Sequence, residues 1–177
     1  MKKYELTAEF IEKWGKKLFR IKALISFGNV EAGELGGYVE KEDNLAQDDN
    51  AWVHGNARVF GNARVCDDAE VCDDAEVFGN ARVCGNARVY GDADYLLIGR
   101  IGSRFSFTTF FKNKDKGITV SCGCFLGTIA EFRAKVSDTH GNNKHAKIYN
   151  LAADMAELQI LGEEHFENLN TNKSEPF

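Results

Sequence analysis

Valine recurs at every sixth position from Val53 to Val89, and alanine keeps the same step from Ala51 to Ala93, two residues ahead. Gly, Asn and Asp fill the positions between. A period of six matches neither a helix nor a meander of hairpins. It matches a chain wound as a coil with three short flat sides, one hexad per side, in which residues 18 apart stack. Valine is then the inward core residue, and alanine is small because it lies near a tight corner. Gly, Asn and Asp suit the corner because they tolerate positive φ and can bond their own backbone.

Outside the repeat the pattern changes. Within residues 4–25, "KYEL" and "KLFRIKALI" read as two strands. In "GELGGYV", Gly33, Gly36 and Gly37 predict a tight loop anchored by Leu35, Tyr38 and Val39, capping the open end of the coil. After Tyr95 the period breaks. "RFSFTTFF" and "ITVSCGC" alternate and predict a β-hairpin, with Phe105, Phe107 and Phe111 on one side and Ile118, Val120, Cys122 and Cys124 on one face. Thr128 and Glu131 have capping-box spacing and open a helix with Ile129, Phe132 and Val136 inward, ended by His140 and Gly141. A second helix is expected over about Asn143 to Leu161, with Ile148, Leu151, Ala152, Met155 and Leu158 inward. The segments are therefore 1–49, strands and cap; 50–95, repeat; 96–165, an α+β module; and 166–177, a loose polar tail.

The step of 18 also lines up the residues that follow each valine: Phe60 over Phe78, Cys66 over Cys84, and His54, Cys72 and Tyr90 in a third column. These outward columns are largely apolar and need covering, by a second chain or by the flanking segments. Charged residues stack as Arg58, Glu76 and Asp94, and as Trp52, Glu70 and Arg88, which predicts pairing between rungs. Arg64 falls over Arg82, a like-charge pair suited to a phosphate or carboxylate; solvated arginines, or pairing across a subunit contact, is the blander reading. The exposed binding candidates are Arg64, Arg82, Trp52, Tyr90, Arg100 and Arg104. An acidic patch comprises Asp67, Asp68, Glu70, Asp73, Asp74 and Glu76, for which corner chemistry is the favoured cause over cation binding or nucleic-acid mimicry.

Composition narrows the setting. The chain has 177 residues, 44% hydrophobic, enough for a packed core. Its formal net charge is −5, and no segment is basic enough to predict non-specific nucleic-acid binding. No apolar run nears a membrane span of about 20 residues, and "MKKYELTAEF" does not read as a signal peptide. Five Cys without a scaffold spacing point to free thiols in a reducing cytoplasm. Cys122 and Cys124 read as small hydrophobes, because zinc wants four ligands in recognised spacings. No metal site and no cofactor are expected.

"GELGGYV" followed by "NAWVHGNARV" resembles bacterial and phage hexapeptide-repeat proteins, and "SCGCFLGT" with two helices after it looks like a module appended to such repeats in phage-encoded proteins. The resemblance implies a mainly β fold: a short left-handed parallel β-helix with an N-terminal cap and a C-terminal α+β module of a β-hairpin plus two helices. It also implies a homotrimer, since such chains commonly pack in threes. The expected role is a non-enzymatic binding protein, an accessory phage product that blocks a bacterial defence factor inside the host cytoplasm. Its partner would be a host protein, such as a nuclease effector, or a small anionic ligand such as a nucleotide signal; no membrane partner is expected. An acyltransferase is the enzymatic alternative. Only His54 lies on the repeat to serve as its base, with no carboxylate marked to orient it. A purely structural trimerisation scaffold is the third reading.

Overall fold

The computed structural model describes residues 1–163. The expected tail over 166–177, and His165, lie outside the described residues. Two compact units divide the chain, Met1–Asp92 and Ala93–Phe177.

In the first unit, strands β1 (Tyr4–Lys13) and β2 (Lys16–Ala23) form an antiparallel hairpin. Its two-residue turn, Trp14 and Gly15, has φ of 50° and 74°. Positive φ at both central residues gives the twist that tight hairpins favour. The expected glycine loop is instead a strand, β3 (Leu35–Val39), antiparallel to β2 on one side. Its glycines serve close approach: a Cβ on Gly36 would stand 2.5 Å from the carbonyl oxygen of Val53. Leu35 points to solvent, while Tyr38 and Val39 are buried.

The repeat supplies seven strands of two residues each: β4 (Trp52–Val53), β5 (Arg58–Val59), β6 (Arg64–Val65), β7 (Glu70–Val71), β8 (Glu76–Val77), β9 (Arg82–Val83) and β10 (Arg88–Val89). All pair in parallel with partners 18 residues away, Val53 with Val71 and Val71 with Val89, Val59 with Val77, Val65 with Val83. All seven valines are fully buried, as are the alanines from Ala51 to Ala87. At the corners, Asp67 and Asp73 hold φ of 59° and 56°, the left-handed region that Asp and Asn enter more readily than most residues. Asp67 accepts a hydrogen bond from the Gly85 amide at 2.8 Å, and Asp68 one from Asn50 Nδ2 at 2.8 Å.

The expected fold class, a short left-handed parallel β-helix with a cap and a hairpin-plus-helices module, is corrected by the sheets themselves. Among the described residues the chain is mainly β, but its strands form separate small sheets, antiparallel and mixed as well as parallel, with two α-helices. One sheet runs β1-β2-β3-β5-β8 and mixes both senses; β10-β7-β4 and β6-β9 stand apart from it. The strand pairing of the repeat runs within each stack, from rung to rung, and the N-terminal hairpin extends one stack sideways through β3.

The flanks cover two of the three columns in part. Phe60 and Phe78 stack at 5.3 Å with an interplanar angle of 9°, and Trp14 packs edge-on against both rings. Trp52, expected at the surface, is fully buried. Tyr4 and Phe27 enclose its indole, with ring centroids at 6.2 and 5.4 Å. Lys3 is buried as well, its ammonium donating to the carbonyls of Asp48, Asp49 and Ala51. Burial lowers its pKa to about 8. The expected free thiols at 66 and 84 are instead joined: Cys66 and Cys84 form a disulfide, Cα atoms 4.7 Å apart, packed with Ala46.

In the second unit the expected hairpin is a four-stranded antiparallel sheet, β11 (Tyr95–Ile101), β12 (Ser106–Lys112), β13 (Ile118–Cys122) and β14 (Phe125–Thr128), in chain order. The outer strands were not foreseen, because "YLLIGRI" and "FLGT" lack a clear alternation. Phe110 and Phe111 are fully buried, whereas Phe105 is exposed. Helix α1 (Ile129–His140) starts at the expected box: Thr128 Oγ1 accepts from the Glu131 amide, and Glu131 accepts from the Thr128 amide at 2.8 Å. Helix α2 (Lys144–Leu161) is capped by Asn143 and buries a different face from the one expected. Ala146, Tyr149, Ala152, Ala153, Ala156 and Ile160 face the core, while Leu151, Met155 and Leu158 are exposed. The buried face, largely alanine, is the one that packs against β11 and α1. Phe132 centres this core, edge-on to Phe110 and Tyr149 at 5.7 and 5.6 Å.

Candidate functional site

The register that pairs Val65 with Val83 also pairs Arg64 with Arg82, so the arginine ladder exists as expected. Both side chains are exposed. Arg64 lines the rim of a groove of about 580 Å³ in the first unit. The groove arises because the chain from Lys41 to Asp48 folds over the corner at Asn62 and Ala63. Buried Asn44 ties the two together: its Nδ2 donates to the Ala63 carbonyl at 2.7 Å, and its Oδ1 accepts from the Lys41 amide at 3.0 Å. A parallel bridge between Leu45 and Val65, with the Ala46 amide on the Val65 carbonyl at 2.9 Å, continues the attachment. The attachment is thus made by the Asn44 amide group and by backbone hydrogen bonds.

The groove carries both signs. Lys41 and Arg64 stand among Glu42, Asp43 and Asp48. Glu42 is engaged by Lys2 at 2.7 Å in an exposed pair worth little energetically. Beside the wall, Glu40 accepts from Lys16 Nζ at 2.5 Å and from the Gly61 amide at 2.6 Å, and these bonds, Lys16 first, hold its carboxyl below the usual range.

The other candidates separate. Trp52 is part of the core. Tyr90 is half exposed at the end of the third column. Arg100 and Arg104 are exposed but belong to the second unit. The acidic patch divides by role. Asp67 and Asp68 hold corners, and Asp73 and Asp74 are exposed corner residues. Glu76 receives Lys13 at 2.6 Å and Arg58 at 2.7 Å, and Glu70 pairs with Arg88. Burial pushes the Glu76 carboxyl up, but its bonds from Lys13 and Arg58 outweigh that and leave it lowered. The rung-to-rung charge pairing read from the spacing is present at Arg58–Glu76 and Arg88–Glu70, whereas Asp94 pairs with Lys112 at 3.0 Å.

Two arrangements were not foreseen. His54 does have a carboxylate beside it: its Nε2 lies 3.8 Å from Glu70 Oε2. Glu70 sits in the neighbouring column, so counting in steps of 18 along a single column missed it. Burial leaves the imidazole pKa lowered, with Glu34 acting against it and Arg88 in the same sense. In the second unit, Cys122, His140 and Tyr149 line a small cavity of about 100 Å³. Cys122 is half-buried and accepts from Thr108 Oγ1 at 3.2 Å, and Cys124 is exposed, so the expectation that both are buried hydrophobes fails. Burial, with Cys122 close by, raises the Tyr149 hydroxyl to about 12.

No family model and no curated protein sequence matches the chain. Among the described residues no helix is long and apolar enough to cross a membrane.

Proposed function

We propose that this is a non-enzymatic binding protein whose recognition face is the Arg64–Arg82 ladder and the groove beside it. The observation that carries the reading is Arg64 lining a groove of about 580 Å³ while paired in register with Arg82 on the next rung. Guanidinium pairs suit bidentate contacts to carboxylates or phosphates. Because Glu42, Asp43 and Asp48 share the groove with Lys41, a protein surface of mixed charge is favoured over a polyanion, for which those carboxylates would be repulsive. A small anion seated on the arginines alone is the lesser form of the same reading.

The similarity of "GELGGYV" and "GNARV" to phage hexapeptide-repeat proteins supports a finer proposal, an accessory protein that blocks a bacterial defence factor in the host cytoplasm. Assembly as a homotrimer rests on that similarity too. Trp14 and Ala46 of the same chain pack on the Phe60–Phe78 and Cys66–Cys84 columns, while Trp14 and Phe78 stay exposed. The acyltransferase alternative gains one observation, the carboxylate beside His54, but the groove's lining does not include that histidine.

Native mass spectrometry of the protein purified from a bacterial lysate tests the proposal. A partner or small anion retained by the wild type and lost from the Arg64→Glu/Arg82→Glu variant, with its fold intact, is the expected result. Steady product release from acyl-CoA, or equal retention by the variant, would overturn it.

A further inference from the structure

His54 and Cys72 follow Val53 and Val71, which pair in register across β4 and β7, so they occupy equivalent places on neighbouring rungs. Glu70 lies two residues before Cys72, and side chains two apart on a strand leave the backbone on the same side. Imidazole nitrogen, carboxylate oxygen and thiol sulfur consequently come within 4.8 Å of one another. The His54 Nε2 atom is buried and has no hydrogen-bond partner among the described residues. Buried polar atoms are nearly always satisfied, so an orphan nitrogen aimed at a carboxylate and a thiol asks for a missing partner.

We propose that His54, Glu70 and Cys72 form a binding site for a divalent cation of the zinc class. One sulfur, one nitrogen and one oxygen donor favour a borderline metal such as Zn²⁺ or Co²⁺ over Mg²⁺ or Ca²⁺, which take oxygen ligands. Metal bonds of about 2.0 Å to nitrogen or oxygen and about 2.3 Å to sulfur place tetrahedral ligands about 3.5 Å apart. The His54–Glu70 separation of 3.8 Å is already close to that. The three ligand atoms lie within 4.8 Å of one another, so side-chain movement of about an ångström is what the proposal asks for. Three protein ligands leave a fourth position for water or a group from a partner. Arg88 contacts the same Oε2 oxygen that lies nearest His54, so the metal would share the Glu70 carboxylate with Arg88, which holds its orientation. Binding transfers the Cys72 thiol proton to solvent as the sulfur–metal bond forms. The spacing His-x15-Glu-x-Cys matches no familiar zinc pattern, which is why the sequence does not announce the site.

Titration of the intact protein with Co²⁺, without reductant so that Cys66–Cys84 stays closed, tests this. One equivalent should bind, with a thiolate-to-cobalt charge-transfer band. Cys72→Ser should abolish the band, while a Cys122→Ser/Cys124→Ser variant should keep it. His54→Ala and Glu70→Gln should each weaken binding about tenfold or more, with circular dichroism confirming their fold. In the wild type, stoichiometric Zn²⁺ should protect Cys72 from iodoacetamide, a readout that needs no variant. Absence of the band at equimolar cobalt, a band that persists in Cys72→Ser, or no protection of Cys72 would overturn the proposal.

Discussion

Residues Met1–Asp92 bury valine and alanine delivered one hexad at a time, whereas Ala93 onward buries aromatic rings and the alanine face of a long helix. In the first unit the order is imposed by the backbone: each two-residue strand hydrogen-bonds a copy 18 positions away, and side chains are neighbours because their strands are. In the second, order comes from side-chain shape, with Phe132 held edge-on between Phe110 and Tyr149. A repeating unit therefore makes its surface predictable in columns. A singular core does not, because which helix face is buried depends on how closely two elements approach.

Substitutions can sharpen or break that contrast. The largest effect is expected at Phe132→Ala, about 3–5 kcal/mol of stability in urea unfolding, because no neighbour repeats to fill the space. Val71→Ala should cost about 2 kcal/mol, from two lost methyl groups and a small cavity between rungs. Should the repeat prove the more sensitive of the two, the distinction drawn here fails. Thr128→Ala, which removes the α1 cap, should cost about 1 kcal/mol by the same measurement.

The smallest effect concerns pH. Glu76 has a lowered pKa in the folded protein, so its contribution is present above its unfolded value of 4.5 and lost as pH falls through the folded one. Glu76→Gln should flatten that acid limb in pH-dependent unfolding. An unchanged limb would mean that the Lys13 and Arg58 contacts add nothing.

Much of the first unit was legible before any coordinates. The step of 18 correctly paired Phe60 with Phe78 and Arg64 with Arg82, because register in a repeat is arithmetic. The left-handed β-helix was not: the chain forms separate sheets, one of them carrying an antiparallel hairpin that the period cannot encode. Trp52 was misplaced for the same reason, since Tyr4 and Phe27, which bury it, lie outside the repeat. The α1 cap at Thr128 was legible because it is local. The α2 face was not, because Leu151, Met155 and Leu158 obey helical spacing yet point to solvent. Of the candidate site, the arginine ladder could be read, but the groove could not, because residues 41–48 supply most of its lining. His54 and Glu70 sit in adjacent columns, so a count along one column passes over the pair, and only the step of 18 combined with a step of two brings them together.

The central claim is that residues 18 apart are direct neighbours, which is what assembles the ladder, the aromatic stack and the His54–Glu70–Cys72 cluster. Mild oxidation of the folded protein, followed by alkylation and peptide mass spectrometry, tests it most directly. The account predicts one intramolecular link, Cys66 to Cys84, with Cys72 left as a thiol. A link from Cys72 to either of them, or no link at all, would contradict it.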